Sequence, residues 1–345
     1  MESRPKIPIM VVTGFLGSGK TTLLQNILAH RDMKNASVIV NEYGKVSIDH
    51  HLLQHVAEKI SVLGGGCVCC QVRSDLVDTL RNLLLKAQRG MAVDRIVIET
   101  TGLADPAPIA FTILTDPVLQ HHMYVSSIVT AVDVVNAQMQ INSHPESLKQ
   151  ILVADRIVLT KTDLASAQEV DQLVRELQRL NPVADIMPAS FGHAPVERLL
   201  SDGWGQMLLR GSQTVESDSH GVHPSQTESV SIRFDTPLHW TGFCVWLSML
   251  LHARGQSVLR VKGIINVGGK GPIALHGVQH IIHPPDHFRD WPSDDHTSRL
   301  VFILRNARGD DILSSLTAFQ AFLGAKPAFV EVDRVLLAVN PAPTV

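Results

Sequence analysis

Lys20 and Thr21 close the stretch Gly14-Phe15-Leu16-Gly17-Ser18-Gly19-Lys20-Thr21-Thr22. The spacing is G-x-x-x-x-G-K-[ST], after an apolar run and before a helical one, the context of a phosphate-binding loop. Gly14, Gly17 and Gly19 let backbone N–H groups curl around phosphate oxygens, and the helix start adds positive potential. With Ser18 and Thr22, these residues form the expected nucleotide cradle. Lys20 is expected to reach the β- and γ-phosphates and Thr21 to hold Mg²⁺.

Two further motifs follow in order. In Arg95-Ile-Val-Ile-Glu99-Thr-Thr-Gly102, an acid ends an apolar strand and a glycine follows closely. Glu99 suits a Mg²⁺ site, directly or through water, and the Gly102 N–H suits a γ-phosphate sensor. In Arg156-Ile-Val-Leu-Thr160-Lys161-Thr162-Asp163, a second strand delivers polar residues at its carboxyl end, where open α/β sheets bind ligands. T-K-x-D is a variant of the guanine-reading N-K-x-D. Asp163 can accept from guanine N1–H and its exocyclic amine, a donor pair adenine lacks, so a buried carboxylate there selects guanine. The Lys161 stem can lie over the base, and Thr160 keeps a hydroxyl where Asn is usual.

Three of the four cysteines, Cys67, Cys69 and Cys70, share one tetrapeptide. Clustered thiols in a reducing compartment bind metal or do redox chemistry more often than they form disulfides. Zn²⁺ or a related soft-loving cation fits three thiolates; a thiol switch and an inert structural role remain as alternatives. Cys244, in the apolar pattern WTGFCVWLSMLL, reads as a core residue.

The elements that must position these residues alternate. Strands are expected at 7–13, 37–41, 60–63, 95–99, 125–133 and 156–160, and helices at 21–29, 75–89, 147–153 and 169–180. That alternation predicts an α/β fold: a parallel P-loop NTPase sheet with helices on both faces. The stretch GSQTVESDSHGVHPSQTE is polar and nearly free of large apolar residues, which reads as a linker. The expected domains are 1–210, a linker at 211–229, and a smaller α+β domain at 230–345. In the last, strands are expected at 230–234, 258–267 and 299–305, with helices near 240–253 and 310–322.

Hydrophobic residues make up 45% of the 345 and charged residues 18%, enough for packed cores. A net charge of −3 gives no reason to expect nucleic acid as a partner. No apolar run is long enough to span a membrane, and the N-terminal stretch lacks a signal-peptide pattern. The expected localisation is cytoplasmic.

With GFLGSGKTT, NEYGKVSID, GGCVCC, ETTGLADPAPI and LTKTD in order, the chain resembles the CobW family of metal-handling P-loop GTPases. RVKGII, GVQH and RLVFI resemble that family's C-terminal domain more loosely. The resemblance implies GTP hydrolysis coupled to delivery of a transition metal, zinc or cobalt, to a client metalloprotein, and it leaves room for a homodimer. The family's switch segment resembles E-N-E-F-G-E-V. Here it reads Val40-Asn41-Glu42-Tyr43-Gly44-Lys45-Val46, so two acids are absent and a cation is present. The expected metal ligands are therefore Cys67, Cys69 and Cys70, with Glu42 and His50 as candidates. Lys20, Glu99 and Glu42 are the expected catalytic residues; Glu42 or Asp49 would orient the water. The run His276, His280, His283 and His287 reads as a metal-loading patch or, with more weight, as polar strand and loop residues. The rival reading is a metal-binding or redox-sensing scaffold that uses nucleotide only as a structural ligand.

Overall fold

The computed structural model describes residues 5–41, 60–63, 69–201, 227–291, 293–323 and 329–337. The chain divides into two compact units: Met1–Val174 with Ala184–Asp202, and Arg175–Val183 with Gly203–Val345.

The first unit is built on seven parallel strands: β1 (Ile7–Gly14), β2 (Ala36–Asn41), β3 (Ile60–Leu63), β4 (Arg95–Glu99), β5 (Met123–Asp133), β6 (Arg156–Thr160) and β7 (Asp185–Pro188). Their spatial order is β3-β2-β4-β1-β5-β6-β7. Every pairing is parallel, so all seven carboxyl ends share one edge. β1 shows why the sheet needs cover on both sides. Met10 and Val12 lie on one face and Ile9 and Val11 on the other, and all four are fully buried.

Helix α1 (Lys20–Leu28) places Leu23, Leu24 and Ile27 against Met10, Val12, Val38, Val97 and Val129. Each such side chain contributes roughly 1.5–3 kcal/mol of burial. Helices α2 (Cys69–Gln88), α3 (Ala107–Thr115), α4 (Leu119–His122) and α6 (Pro145–Val153) also pack on strands of this sheet. The short α5 (Ala137–Ser143) packs on α6, α7 (Ala167–Leu180) links β6 to β7, and α8 (Val196–Leu200) follows β7.

Helix α2 begins at Cys69, earlier than the expected residue 75. Ser74 and Asp75 have the side chains of a helix cap but lie inside the helix. α3 lies outside the expected helices, and its start holds Pro106 and Pro108. Proline is tolerated at a helix start, where the first N–H groups have no partner to lose. β7 is also unanticipated, being four residues that end in proline.

The second unit carries an antiparallel sheet: β8 (Thr227–Phe234), β9 (Val258–Ile265), β10 (Ile273–Val278), β11 (Ile281–Ile282), β12 (Asp286–His287), β13 (Ser298–Arg305) and β14 (Phe329–Leu337). The order is β11-β10-β9-β13-β8-β14, with β12 on β10. Helices α9 (Trp240–Arg254) and α10 (Gly309–Phe322) cover one face. Phe234, Phe243, Trp246, Phe302 and Leu316 form the core between them, and the Trp246 indole N–H donates to Ser315 Oγ at 3.1 Å. This is the α+β architecture expected. β8 begins at Thr227, so residues 227–229 of the expected linker are strand; residues 211–226 lie outside the described residues.

Candidate functional site

The loop between β1 and α1 wraps tightly because its glycines permit it. Gly17 and Gly19 have φ of 73° and 81°, in the left-handed region where side chains are strained. At Gly14 a Cβ would lie 2.4 Å from the Ala131 carbonyl oxygen and 2.7 Å from Ser18 Oγ. α1 starts at Lys20 with Gly19 as its cap and no side chain capping it, so its first N–H groups are open to an anion. Lys20 Nζ donates to the Gly14 and Phe15 carbonyls, both at 3.0 Å. Burial pulls the Lys20 pKa below its ordinary value, and the Glu99 charge works against that fall. The Ser18 hydroxyl is fully buried, with no hydrogen-bond partner among the described residues. A half-buried ammonium, uncapped amides and an orphaned hydroxyl on one loop fit a polyphosphate.

Both other motifs bond to this loop or to the helix it opens. Thr21 Oγ1 donates to Glu99 Oε1 at 3.2 Å, bringing together the two expected Mg²⁺ residues. Glu99 is buried at the end of β4. Thr100 Oγ1 donates to Thr13 Oγ1 at 2.8 Å, joining the strand ends on the same edge. Thr160 Oγ1 donates to the Ser18 carbonyl at 2.7 Å. The threonine thus makes a bond between the T-K-x-D segment and the phosphate loop.

Lys161 has a left-handed backbone (φ 58°), and its Nζ donates to Asp133 Oδ2 at 2.7 Å. Asp163 is exposed, not buried as the guanine argument assumed, and its Oδ1 accepts from the Phe191 N–H at 3.2 Å. Gly102 packs on the phosphate loop: a Cβ there would sit 2.6–2.8 Å from Leu16 atoms. Thr22 Cγ2 lies 2.8 Å from where a Cβ on Gly192 would be.

Three contributors carry no motif. Asp133 ends β5 and is 1% exposed. Burial works against its ionisation, but the Lys161 ammonium, the Asn136 amide and the Val135 N–H outweigh it and hold the carboxyl below its usual range. Its only sequence signal is its place as the last residue of a buried strand, which Glu99 and Thr160 share. Gln150 on α6 donates from Nε2 to the carbonyls of Gly102 (3.1 Å) and Ala104 (2.9 Å). The ring of His144 stacks on Phe15 of the phosphate loop at 4.5 Å.

The metal-ligand expectations fall differently. Glu42, Asp49, His50 and Cys67 lie outside the described residues. Cys69 and Cys70 are the first two residues of α2. β3, which precedes them, ends on the same sheet edge as β1, three strand positions away, a separation of about 14 Å at the usual strand spacing. Val40 stands in register with Glu99 and packs against the sheet core. Among the described residues no group of three or more His, Cys, Asp or Glu side chains could hold a metal. The C-terminal histidines make separate contacts. His276 and His283 touch edge to face at 3.9 Å, His280 bonds the Leu251 carbonyl at 3.1 Å, and His287 meets Trp240. Cys244 is half-buried on α9 rather than in the core, and burial raises its thiol pKa.

The nucleotide-binding domain of CobW, HypB and UreG matches residues 8–188, more than half of the chain. The chain belongs to the CobW/HypB/UreG family. Its second unit matches the C-terminal domain of the cobalamin synthesis protein CobW over residues 227–320. This CobW-family chain is 34% identical over 301 residues to the zinc chaperone YjiA of Escherichia coli, covering 86% of this chain and 93% of the relative. It is 30% identical over 344 residues to the zinc chaperone CobW of Pseudomonas aeruginosa, with 88% of each chain covered. It is 33% identical over 315 residues to the zinc-regulated GTPase metalloprotein activator 1 of Schizosaccharomyces pombe, covering 80% of this chain and 76% of the relative. The fold of this CobW-family protein matches the crystal structure of Zn(II)-bound YjiA GTPase from E. coli with a TM-score of 0.65. That match covers 92% of this chain and 99% of the other at 27% identity. Among the described residues no helix is long and apolar enough to cross a membrane.

Proposed function

We propose that this protein is a Mg²⁺-dependent GTPase that couples the nucleotide cycle to binding a transition metal, zinc or cobalt, and passing it to a client metalloprotein. The observation that carries the reading is that the phosphate loop with its helix bonds to both other motifs, Thr21 to Glu99 at 3.2 Å and Thr160 to Ser18 at 2.7 Å. One ligand reaching from Lys20 to Asp163 would touch all three. The relatives' names, two zinc chaperones and a zinc-regulated activator, support metal delivery as the output.

In this reading Gly14, Gly17, Ser18, Gly19 and Lys20 bind the phosphates, with Thr22 behind them. Thr21 and Glu99 would hold Mg²⁺, which would supply charge neutralisation for the phosphates. Gly102 senses the γ-phosphate, and Lys161 and Asp163 read the base. Glu42 and Asp49 are the candidates for orienting water. Cys67, Cys69 and Cys70, with Glu42 and His50, are the candidate ligands for the metal cargo. The protein acts in the cytoplasm, on neither nucleic acid nor membrane, alone or as a homodimer. Residues 1–210 form the GTPase domain, and 230–345 a second domain beyond a linker.

Two measurements test this. Multiple-turnover phosphate release from GTP, with and without Zn²⁺ or Co²⁺, should show slow intrinsic turnover; no turnover in any condition leaves only a nucleotide-bound scaffold. Zinc affinity should differ between the GTP-analogue and GDP states, and Cys67→Ser should shrink the difference. Equal affinities in both states rule the coupling out.

A further inference from the structure

We propose that Asp133 is a positioning residue of the base-reading site: its carboxylate pins the Lys161 ammonium, and the affinity for guanine nucleotide depends on that pair. The inference rests on the guanine-nucleotide reading above and extends it to a residue outside every motif.

Asp133 is the last residue of β5, next to the last residue of β6 in register, Thr160. Three donors converge on its carboxylate. Lys161 Nζ and Asn136 Nδ2 reach Oδ2, each at 2.7 Å, and the Val135 N–H reaches Oδ1 at 3.0 Å. Two of the three are local, within a turn closed by the Asn136 N–H on the Asp133 carbonyl at 3.2 Å. A carboxylate serving only that turn would need no lysine. The third donor comes from the T-K-x-D segment, 28 residues further on.

Lys161 is thereby fixed at both ends. Its backbone is left-handed, its carbonyl accepts from the Leu164 N–H at 3.0 Å, and the Thr160 carbonyl before it accepts from Val134 N–H at 3.2 Å. Its amine is held by Asp133, which is almost completely buried, whereas the lysine side chain is about one-third exposed. A lysine stem carries much rotamer entropy. A stem already ordered loses none when a ligand arrives, so binding is tighter than with a mobile lysine. The same pairing neutralises the ammonium, leaving Lys20 as the cation of the phosphate loop.

The test is a double-mutant cycle on GDP affinity, read by fluorescent-nucleotide titration. Asp133→Asn should raise the dissociation constant about tenfold, and Lys161→Ala by a similar factor. The double variant should be no more than about twofold weaker than Lys161→Ala alone, because residues acting through one contact are not additive. In turnover, the Asp133→Asn loss should fall on KM rather than on kcat, which a general loosening of the fold would not produce. Full multiplication of the two single effects, or a folded Asp133→Asn with wild-type affinity, overturns the proposal. If Asp133→Asn does not fold, Asn136→Ala loosens the carboxylate while keeping its charge. It should weaken GDP about threefold in the wild-type background and not at all beside Lys161→Ala; no effect in either background overturns the proposal. Asp163→Asn separates the two readings, since an amide there should favour a xanthine base. A wild-type protein that binds no guanine nucleotide overturns both, whereas a xanthine switch with an inert Asp133→Asn overturns only the role of Asp133.

Discussion

At the residue scale, Lys20 is in tension with its surroundings. Its ammonium is held by two carbonyl oxygens and feels Glu99, yet burial lowers its pKa below 10.5. Between that lowered value and 10.5 the unfolded chain binds more protons than the folded one. The nucleotide-free protein should therefore gain stability as pH rises through that window. Melting curves followed as pH rises toward 10.5 should show that slope in the wild type and a flatter one in Lys20→Met. The same substitution should abolish the melting-temperature rise expected from GDP if Lys20 is, as proposed, the cation that meets the phosphates.

At the element scale, α6 fastens the segment after β4. Gln150 takes the Gly102 and Ala104 carbonyls, and Lys149 pairs with Asp105 at 2.5 Å. Asp105 Oδ1 in turn accepts from the Ala107 N–H at 3.0 Å, at the start of α3. Gln150→Leu would leave two carbonyls without their donor, at a cost of about 1–3 kcal/mol. Urea unfolding should detect that loss. If Gly102 senses the γ-phosphate, the shift should also lower kcat for GTP about ten- to a hundredfold while GDP affinity stays near wild type. Unchanged kcat would show that α6 holds this segment for stability alone.

At the scale of the whole molecule, two separate cores should respond to different perturbations. Phe302 is fully buried between β13, α9 and α10, against Trp246 at 6.1 Å. Phe302→Ala should destabilise the second unit by about 3–5 kcal/mol. GDP at one hundred times its dissociation constant should stabilise the first unit by about 2.7 kcal/mol. Calorimetry should assign the two shifts to different transitions, with tryptophan fluorescence following the second through Trp246. A single transition moved equally by both would show that the units unfold together.

The sequence by itself determined the strands that end at Glu99 and Thr160, and the first strand to within one residue of Gly14, because buried parallel strands are short apolar runs that stop at polar residues or glycine. It also determined the phosphate loop, whose glycines are required by local backbone geometry. Only the tertiary structure decided that Thr160 bonds Ser18, that Asp163 is exposed, and that α3 forms with prolines at its start. It alone brought Asp133 to Lys161 and Gln150 to Gly102, since those contacts join residues 28 and 48 positions apart. A local pattern can specify an element and its end. Which end faces which depends on strand order, and strand order is set by the packing of the whole sheet.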